Sequence, residues 1–119
     1  MKVGDYVRLK NGYIDKIEEL KLQTKYTKYN KLLFEHKVVE CLFSDEDLKE
    51  IKSSPNIMDL IEKGDYVNGI KVQDVIGCLL VFDGGQDGEW YIETEENIKS
   101  IVTHEQFESM QYNLESEVN

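Results

Sequence analysis

The residues of this chain best suited to chemistry are two histidines, two cysteines and a loop rich in acids. His36 and His104 are 68 positions apart, and Cys41 and Cys78 are 37 apart. Structural zinc sites join ligands at short spacings such as C-x-x-C, which this sequence lacks. A Cys–His nucleophile pair such as Cys41 with His36 stays open, because such partners meet in space rather than along the chain. The alternative is a pair of buried structural thiols in apolar strands.

The loop from Asp83 to Glu89 holds three acids and three glycines. Calcium binds six or more oxygen atoms, but the loop lacks both the acid spacing of an EF-hand and the bidentate acid that follows it. We therefore predict a hairpin loop here, and we expect no metal and no cofactor. A phosphate-binding loop is also excluded, because Gly84 and Gly85 are not followed by the lysine and helix that such a loop requires.

Charge is divided unevenly along the chain. The 119 residues include 14 Lys/Arg and 24 Asp/Glu, a net charge of −10. Residues 1–39 carry nine bases and five acids, a net of +4, and residues 40–119 carry five bases and nineteen acids, a net of −14. A net of −10 argues against a general nucleic-acid binder, because such proteins use Lys and Arg to displace counterions from phosphates.

The positive charge is concentrated in segment 21–37, and within it residues 25–31 interleave bases with aromatic residues. Surfaces of this kind bind nucleic acid or a nucleotide, since Lys meets phosphate and Tyr stacks on bases. The alternative is an ordinary exposed loop. The residues of this candidate anionic-ligand patch are Lys25, Tyr26, Lys28, Tyr29 and Lys31.

The negative charge is concentrated in the second half of the chain. An acidic face suits a basic partner through charge complementarity, and the alternative is a solvated surface that only keeps the protein soluble. The acids predicted to form a partner-binding face are Asp83, Asp87, Glu89, Glu93, Glu95 and Glu96.

A repeated motif positions these segments. Gly-Asp-Tyr-Val occurs at residues 4–7 and again at 64–67, and Asn-Gly follows each copy, at 11–12 and at 68–69. Asn-Gly is a strong hairpin signal, because a type I′ turn needs positive φ at both central residues. Each copy therefore predicts a small antiparallel β unit, and the shared context favours an internal duplication. The alternative is that Gly-Asp is a common way to begin a strand.

Helix signals separate the two copies. Ser44 begins a capping-box pattern, and Ser54-Pro55 predicts the start of a second short helix that ends at Gly64. Thr103 predicts the cap of a short C-terminal helix. The predicted organisation is a first β unit (1–43), a helical linker (44–63), a second β unit with the C-terminal helix (64–112) and a frayed polar tail (113–119).

The predicted fold class is α+β, mainly β, with two small antiparallel β units joined by short helices. The alternating strands, the Asn-Gly hairpins and the Gly-Asp-Tyr-Val openings resemble SH3-like barrels. The apolar run 78–82 predicts a strand buried on both faces. No apolar run approaches the roughly 20 residues that span a bilayer, and no signal sequence opens the chain. We therefore expect a cytoplasmic protein with reduced cysteines.

Three segments resemble short, uncharacterised proteins from phages and prophages of Gram-positive bacteria. They are residues 1–7, the stretch SSPNIMDLIEKGDYVNG (53–69) and the stretch IKSIVTHEQFESM (98–110). Segments 18–50 and 77–97 lie outside the resemblance. It implies a small accessory protein that acts by binding, and no catalytic residue is carried over.

The resemblance and the charge together favour a non-enzymatic protein that binds and inhibits a host defence protein or nuclease in the bacterial cytoplasm. Its acidic face would imitate nucleic acid, as in several anti-CRISPR proteins. One alternative sequesters a nucleotide signal in a pocket between the two units or between protomers, using Lys25, Lys28, Lys31 and the tyrosines. Another is a β-barrel adaptor in phage assembly or replication. Direct nucleic-acid binding and a membrane role are not expected, and the oligomeric state is left open.

Overall fold

The computed structural model of the chain describes residues 1–110, apart from the side chains of Val38, Asp87 and Met110. This part is mainly β, as predicted, with two five-stranded antiparallel sheets and two short α-helices. None of its helices has the length and hydrophobicity needed to cross a membrane. The tail predicted to fray, residues 113–119, lies outside the described residues.

The first sheet has the strand order β4-β3-β2-β1-β5. Its strands are β1 (Tyr6–Arg8), β2 (Ile14–Lys21), β3 (Asn30–Phe34), β4 (Lys37–Phe43) and β5 (Lys52–Ser54). Side chains alternate between the two faces of a strand. The inward residues form a small core of Val7, Ile17, Leu32 and Phe34.

The second sheet has the strand order β10-β6-β7-β8-β9. Its strands are β6 (Tyr66–Val67), β7 (Ile70–Ile76), β8 (Leu79–Asp83), β9 (Glu89–Ile92) and β10 (Ile101–Val102). The half-buried Trp90 ring stacks on buried Phe82 with 4.2 Å between ring centroids. The buried core residues are Met58, Ile61, Val67, Val72, Leu80, Phe82 and Ile92.

The two sheets correspond strand for strand when each is counted from its Gly-Asp-Tyr-Val strand. Gly4 and Gly64 begin these strands with φ of +93° and +95°, a conformation that glycine adopts without the strain of a Cβ atom. Asp5 and Asp65 each accept a hydrogen bond from the amide three residues earlier, at 3.1 and 2.8 Å. The repeated motif therefore builds the same local turn twice.

Both Asn-Gly pairs lie in hairpins, as predicted, but the turns differ. Asn68 and Gly69 have φ of +54° and +82°, which is the two-residue type I′ turn. In the first hairpin only Gly12 has positive φ, at +89°. There the Leu9 amide donates to the Tyr13 carbonyl at 2.8 Å, so three residues form the loop between them.

The segment predicted to be a helical linker contains one α-helix, one strand and one turn of 3-10 helix. Helix α1 (Asp45–Lys49) has the predicted cap, since the Asp47 amide donates to Ser44 Oγ at 3.1 Å. Strand β5 was not predicted, and its Ser53 lies opposite Val7 of β1. Pairing with β1 provides hydrogen-bond partners for the backbone N–H and C=O groups of β5, which in a helix would bond to one another.

The predicted second helix is a 3-10 turn over Ile57–Leu60. Its cap is Asn56, whose side chain accepts from the Met58 amide at 3.0 Å, rather than Ser54. Ser54 is committed elsewhere, because its hydroxyl donates to Asp59 Oδ2 at 2.6 Å. This turn buries Met58. Tertiary packing therefore determines the conformation of this segment, although its local signals favoured a longer helix.

The C-terminal helix α2 (His104–Met110) begins as predicted. The Gln106 amide donates to Thr103 Oγ1 at 3.3 Å, and the Thr103 amide donates to Gln106 Oε1 at 3.1 Å. This reciprocal capping box leaves Thr103 fully buried. It fixes the start of α2 beside the first sheet, where Gly12 lies close to Thr103.

Candidate functional site

A buried ion cluster joins the two sheets. Arg8, on β1, is 3% exposed. Its Nη1 and Nη2 atoms donate to the two carboxylate oxygens of Asp65, at 2.5 and 3.0 Å. Nη2 also donates to Glu105 Oε2 at 2.6 Å, and Nη1 to the Leu60 carbonyl at 2.9 Å. Planar guanidinium groups suit such bidentate carboxylate pairing, so Arg8 links one Gly-Asp-Tyr-Val unit to the other.

Asp65 is fully buried, and backbone amides complete its hydrogen bonds. Glu62 and His104 donate their amides to it at 2.8 and 2.9 Å. Burial lowers the pKa of Arg8, but the hydrogen bonds and charge of Asp65 and the neighbouring acids raise it overall. A buried pair of this kind is strongly destabilising to break, because one charge then stays buried alone. The cluster therefore holds the two sheets in one arrangement.

Glu62, His104 and Glu105 bring ligand atoms within 4.8 Å of one another beside this cluster. Their carboxylates already form ion pairs within the chain, since Lys52 Nζ lies 2.7 Å from Glu62 and Arg8 Nη2 lies 2.6 Å from Glu105. Burial raises the pKa of Glu62, but its hydrogen bonds from Lys52 and His104 and the charge of Arg8 lower it overall. The donor set is explained by internal ion pairs.

A second polar cluster surrounds Asp15 in the first sheet. Tyr13 donates its hydroxyl to the buried Asp15 carboxylate, and His36 contacts it through Nδ1 at 3.0 Å and its amide at 3.1 Å. Burial raises the pKa of Asp15, but these hydrogen bonds lower it overall. Burial and the bond to Asp15 raise the pKa of Tyr13 to about 12. The hydrogen bond to Asp15 raises the pKa of the exposed His36.

The cysteines do not complete a catalytic group in the described residues. Cys41 packs against the first core and its Sγ lies 3.8 Å from the Val39 carbonyl, whereas His36 contacts Asp15. The prediction that Cys78 is buried in an apolar strand is wrong. It is exposed in the turn before β8, because Gly77 takes φ of +62° there and reverses the chain.

Three of the six predicted acids lie on the outer face of β8 and β9 or directly after it, namely Asp83, Glu89 and Glu93. Asp83 lies opposite Glu89, and Val81 lies opposite Tyr91. Cross-strand partners share one face of a sheet, and the alternate pair Phe82–Trp90 faces the core. Val81 is only 4% exposed although it lies on this outer face, whereas Asp83, Glu89 and Glu93 around it are exposed to solvent.

Tyr91 and Ile76 are exposed apolar residues on this same face, at 48% and 61%. The Tyr91 hydroxyl donates to Glu89 Oε2 at 3.1 Å, and this bond raises the pKa of Tyr91. Residues 72–98 contain no Lys or Arg. We call the following residues the acidic surface: Asp74, Ile76, Asp83, Glu89, Tyr91 and Glu93.

The remaining predicted acids have other positions. Glu95 and Glu96 are exposed in a 3-10 turn after β9, and the Asp87 side chain lies outside the described residues. Asp83 also accepts from the Gly85 amide at 2.8 Å. Segment 83–89 is therefore a hairpin loop, as its glycines indicated, with Asp83 fixing its start.

The predicted basic patch is split by the structure. Lys28, Tyr29 and Lys31 line a surface concavity of about 360 Å³. Lys25 and Tyr26 lie outside it, with Lys25 Nζ 5.0 Å from the Tyr26 ring centroid. We call the concavity the basic concavity, and its lining residues are Lys21, Leu22, Thr27, Lys28, Tyr29, Lys31 and Leu42.

The lysines proposed for a pocket between the units do not line the cleft beside the two sheets. That cleft, of about 360 Å³, is lined by four isoleucines, a tyrosine, a lysine and three uncharged polar residues, and its isoleucines are Ile14, Ile57, Ile98 and Ile101. The segment of Lys25, Lys28 and Lys31 instead joins β2 to β3 and enters β3. The structure therefore does not bring these lysines to the cleft between the two units, and a nucleotide site between protomers stays a prediction.

Sequence reasoning missed the residues that join the sheets. Arg8 and Asp65 are 57 positions apart, and although Asp65 lies in the second Gly-Asp-Tyr-Val copy, that motif gives no sign of a partner in the other unit. One signal was available, because the residue after Gly-Asp-Tyr-Val is Arg8 in the first copy and Asn68 in the second. No family model, curated protein or solved structure matches the chain.

Proposed function

We propose that this chain is a non-enzymatic binding protein whose acidic surface occupies a basic surface of a partner protein. The observation that carries the proposal is the pairing of Asp83 with Glu89 beside exposed Tyr91. Like charges directly opposite each other destabilise a sheet. A feature that opposes folding and faces solvent is better explained by binding than by stability.

The apolar residues of the acidic surface support contact with a protein. Tyr91 and Ile76 are exposed among carboxylates, and tyrosine is enriched where interfaces are buried. A surface that only kept the chain soluble would not require them. Lys and Arg of a partner would meet the carboxylates, while Tyr91 would supply apolar contact area.

The partner that fits this chemistry is a protein with a basic channel for nucleic acid. Taken with the resemblance to phage and prophage proteins, the chemistry favours a host defence nuclease, inhibited by an acidic imitation of nucleic acid. We further propose that the two sheets are SH3-like units that arose by duplication. Their corresponding strand orders and repeated Gly-Asp turns support this.

A capture experiment tests the proposal. The tagged protein would be incubated with lysate of a Gram-positive host at about 0.1 M and about 0.5 M salt, since salt screens charge contacts. We expect a basic nuclease to be captured at the lower salt only, and to be lost with the variant Glu89→Lys/Glu93→Lys. Glu46→Lys/Glu108→Lys, which changes the net charge by the same amount at exposed positions of α1 and α2, is the matched control.

Two outcomes would contradict the proposal. One is capture of the same protein with equal yield by the reversed variant. The other is a captured nuclease that cleaves DNA at its full rate when saturated with this chain, because a mimic of nucleic acid must compete with the substrate.

A nucleotide-sequestering function is a second candidate, favoured by the basic concavity. Its charge is modest, because Lys21 pairs with Glu19 at 3.3 Å and Lys31 with Glu40 at 3.2 Å. Thermal unfolding with a panel of cyclic nucleotides tests it, since a ligand that binds only the folded state raises the melting temperature. An unchanged melting temperature across the panel would exclude this candidate.

A further inference from the structure

The basic concavity and the acidic surface each combine charged and exposed apolar side chains. The lining of the concavity includes Leu22, Tyr29 and Leu42, which are 58%, 52% and 58% exposed. Three lysines line it as well, of which Lys21 lies 3.3 Å from Glu19 and Lys31 lies 3.2 Å from Glu40, so its positive charge is modest. The charged side chains are therefore lysines in the concavity and carboxylates in the acidic surface, and each region has apolar side chains beside them.

The acidic surface presents one side chain that suits such a concavity. Tyr91 projects from β9 between Glu89, two residues before it on the strand, and Glu93, two residues after it. Residues two apart on a strand are separated by roughly 7 Å on the same face. Carboxylates at this spacing would meet lysines of the concavity while the phenol ring contacted its leucines and Tyr29.

We propose that two copies of this chain associate through contact between the acidic surface of one and the basic concavity of the other, with Tyr91 inserted among Leu22, Tyr29 and Leu42. The contact covers the surface assigned above to the partner, so self-association and partner binding are mutually exclusive. The inference does not rest on the proposed function, because it requires no second protein.

Net charge sets the conditions under which the contact forms. Each copy carries −10, which repels a second copy at long range. At about 0.15 M salt the Debye length is about 8 Å, so this repulsion is screened between chain centres while close charge pairs still attract. Self-association should therefore be strongest near physiological salt and weaker at much higher salt.

Sedimentation and light scattering of the purified full chain provide the test. At roughly 0.1 mM chain and about 0.15 M salt, conditions suited to a small and weak interface, we expect an average mass above the 13.9 kDa of one chain. Dilution about a hundredfold should return the mass to one chain by mass action. A mass of 13.9 kDa at every concentration would overturn the proposal.

Two charge-reversal variants identify the contact. Lys21→Glu/Lys28→Glu reverses the charge of two of the three lysines of the basic concavity. Glu89→Lys/Glu93→Lys reverses the charge of two carboxylates of the acidic surface. Each variant alone should lose self-association. An equimolar mixture should regain it, because each retains the surface that the other lacks. Self-association by either variant alone at the wild-type level, or no recovery in the mixture, would contradict the proposed contact.

Tyr91→Ala tests the insertion without a change of charge. Tyr91 lies outside the second core, so thermal unfolding should show a folded protein, and self-association should weaken at least tenfold. Glu46→Lys/Glu108→Lys is the control for the net-charge change of Glu89→Lys/Glu93→Lys and should associate like the wild type. Wild-type affinity in the Tyr91→Ala variant would show that the Tyr91 ring takes no part in the contact and would contradict its insertion.

Discussion

The two Gly-Asp-Tyr-Val units share their strand order but use the residues around the motif differently. Asp5 accepts the amide of Lys2 and closes a local turn. Asp65 closes the same turn and in addition binds the guanidinium of Arg8. The two copies therefore form the same local turn, but only the aspartate of the second copy also forms the ion pair that joins the two sheets.

The position after the motif differs in the same way. Arg8 reaches from the first sheet to the second, whereas Asn68 remains within its own sheet. The Asn68 side chain accepts from the Lys99 amide at 2.7 Å and donates to the Asn97 carbonyl at 2.8 Å. One residue therefore joins two units, and its counterpart holds the segment before β10.

The largest expected effect on stability comes from breaking the Arg8–Asp65 ion pair. Arg8→Met leaves Asp65 buried without its cation and should lower the free energy of unfolding by about 3–5 kcal/mol. Asp5→Asn, which weakens only a turn hydrogen bond, should cost about 1 kcal/mol. Urea unfolding followed by circular dichroism measures both. Equal losses would mean that the Arg8–Asp65 pair contributes no more to stability than the local turn at Asp5.

Two glycines of the hairpins sharpen the comparison. A Cβ at Gly12 would lie 2.1 Å from Thr103 Oγ1, while a Cβ at Gly69 has nothing within 4 Å. Gly69→Ala should cost only the strain of positive φ, about 1–2 kcal/mol. Gly12→Ala adds a clash with Thr103, and overpacking of this kind costs about 1–3 kcal/mol more. Thermal unfolding of the two variants should rank them in that order, and the reverse order would contradict close packing at Gly12.

The Asp15 cluster is particular to the first sheet. Asp15 lies opposite Val7, whereas exposed Ile70 lies opposite Val67 in the second sheet. The raised pKa of His36 means that its protonated form stabilises the fold, fully below its ordinary value of 6.5 and no longer above the raised value. The lowered pKa of Asp15 keeps that partner ionised at mildly acidic pH.

His36→Gln should therefore destabilise the protein more near pH 5.5 than near pH 9, on either side of the window in which the imidazole loses its proton. The measurement is urea unfolding of both proteins at the two pH values. An equal difference at both would show that the His36–Asp15 contact does not depend on the imidazole charge.

The smallest expected effect on stability comes from the acidic surface. Glu89→Lys replaces two opposed acids by an ion pair with Asp83 and should raise the free energy of unfolding by about 0.2–1 kcal/mol. The same change should weaken partner binding. A variant that loses stability and keeps its binding would show that this pairing serves the fold.

The local elements were largely predictable from the sequence. Helix caps at Ser44 and Thr103 and the type I′ turn at Asn68 follow from chemistry within a few residues. The short strand β5 was not predictable, because its conformation is set by pairing with β1 about 45 residues earlier in the chain. The 3-10 turn after it likewise follows from burial of Met58.

The site was predictable in part. Alternation along β9 places Glu89 and Tyr91 on one face, and the sequence shows that alternation directly. The basic concavity was not predictable in full, because Leu42 joins Lys28 and Tyr29 only once β4 pairs with β3. The Arg8–Asp65 pair requires the arrangement of both sheets, which no short-range pattern encodes.

Competition with DNA tests the central claim most directly. Fluorescence anisotropy would follow a labelled duplex bound to the captured nuclease while this chain is added at about 0.1 M salt, where the Debye length is about 10 Å. We predict that the wild type and Glu46→Lys/Glu108→Lys release the duplex and that Glu89→Lys/Glu93→Lys does not. Release by the reversed variant at the wild-type concentration would contradict the account.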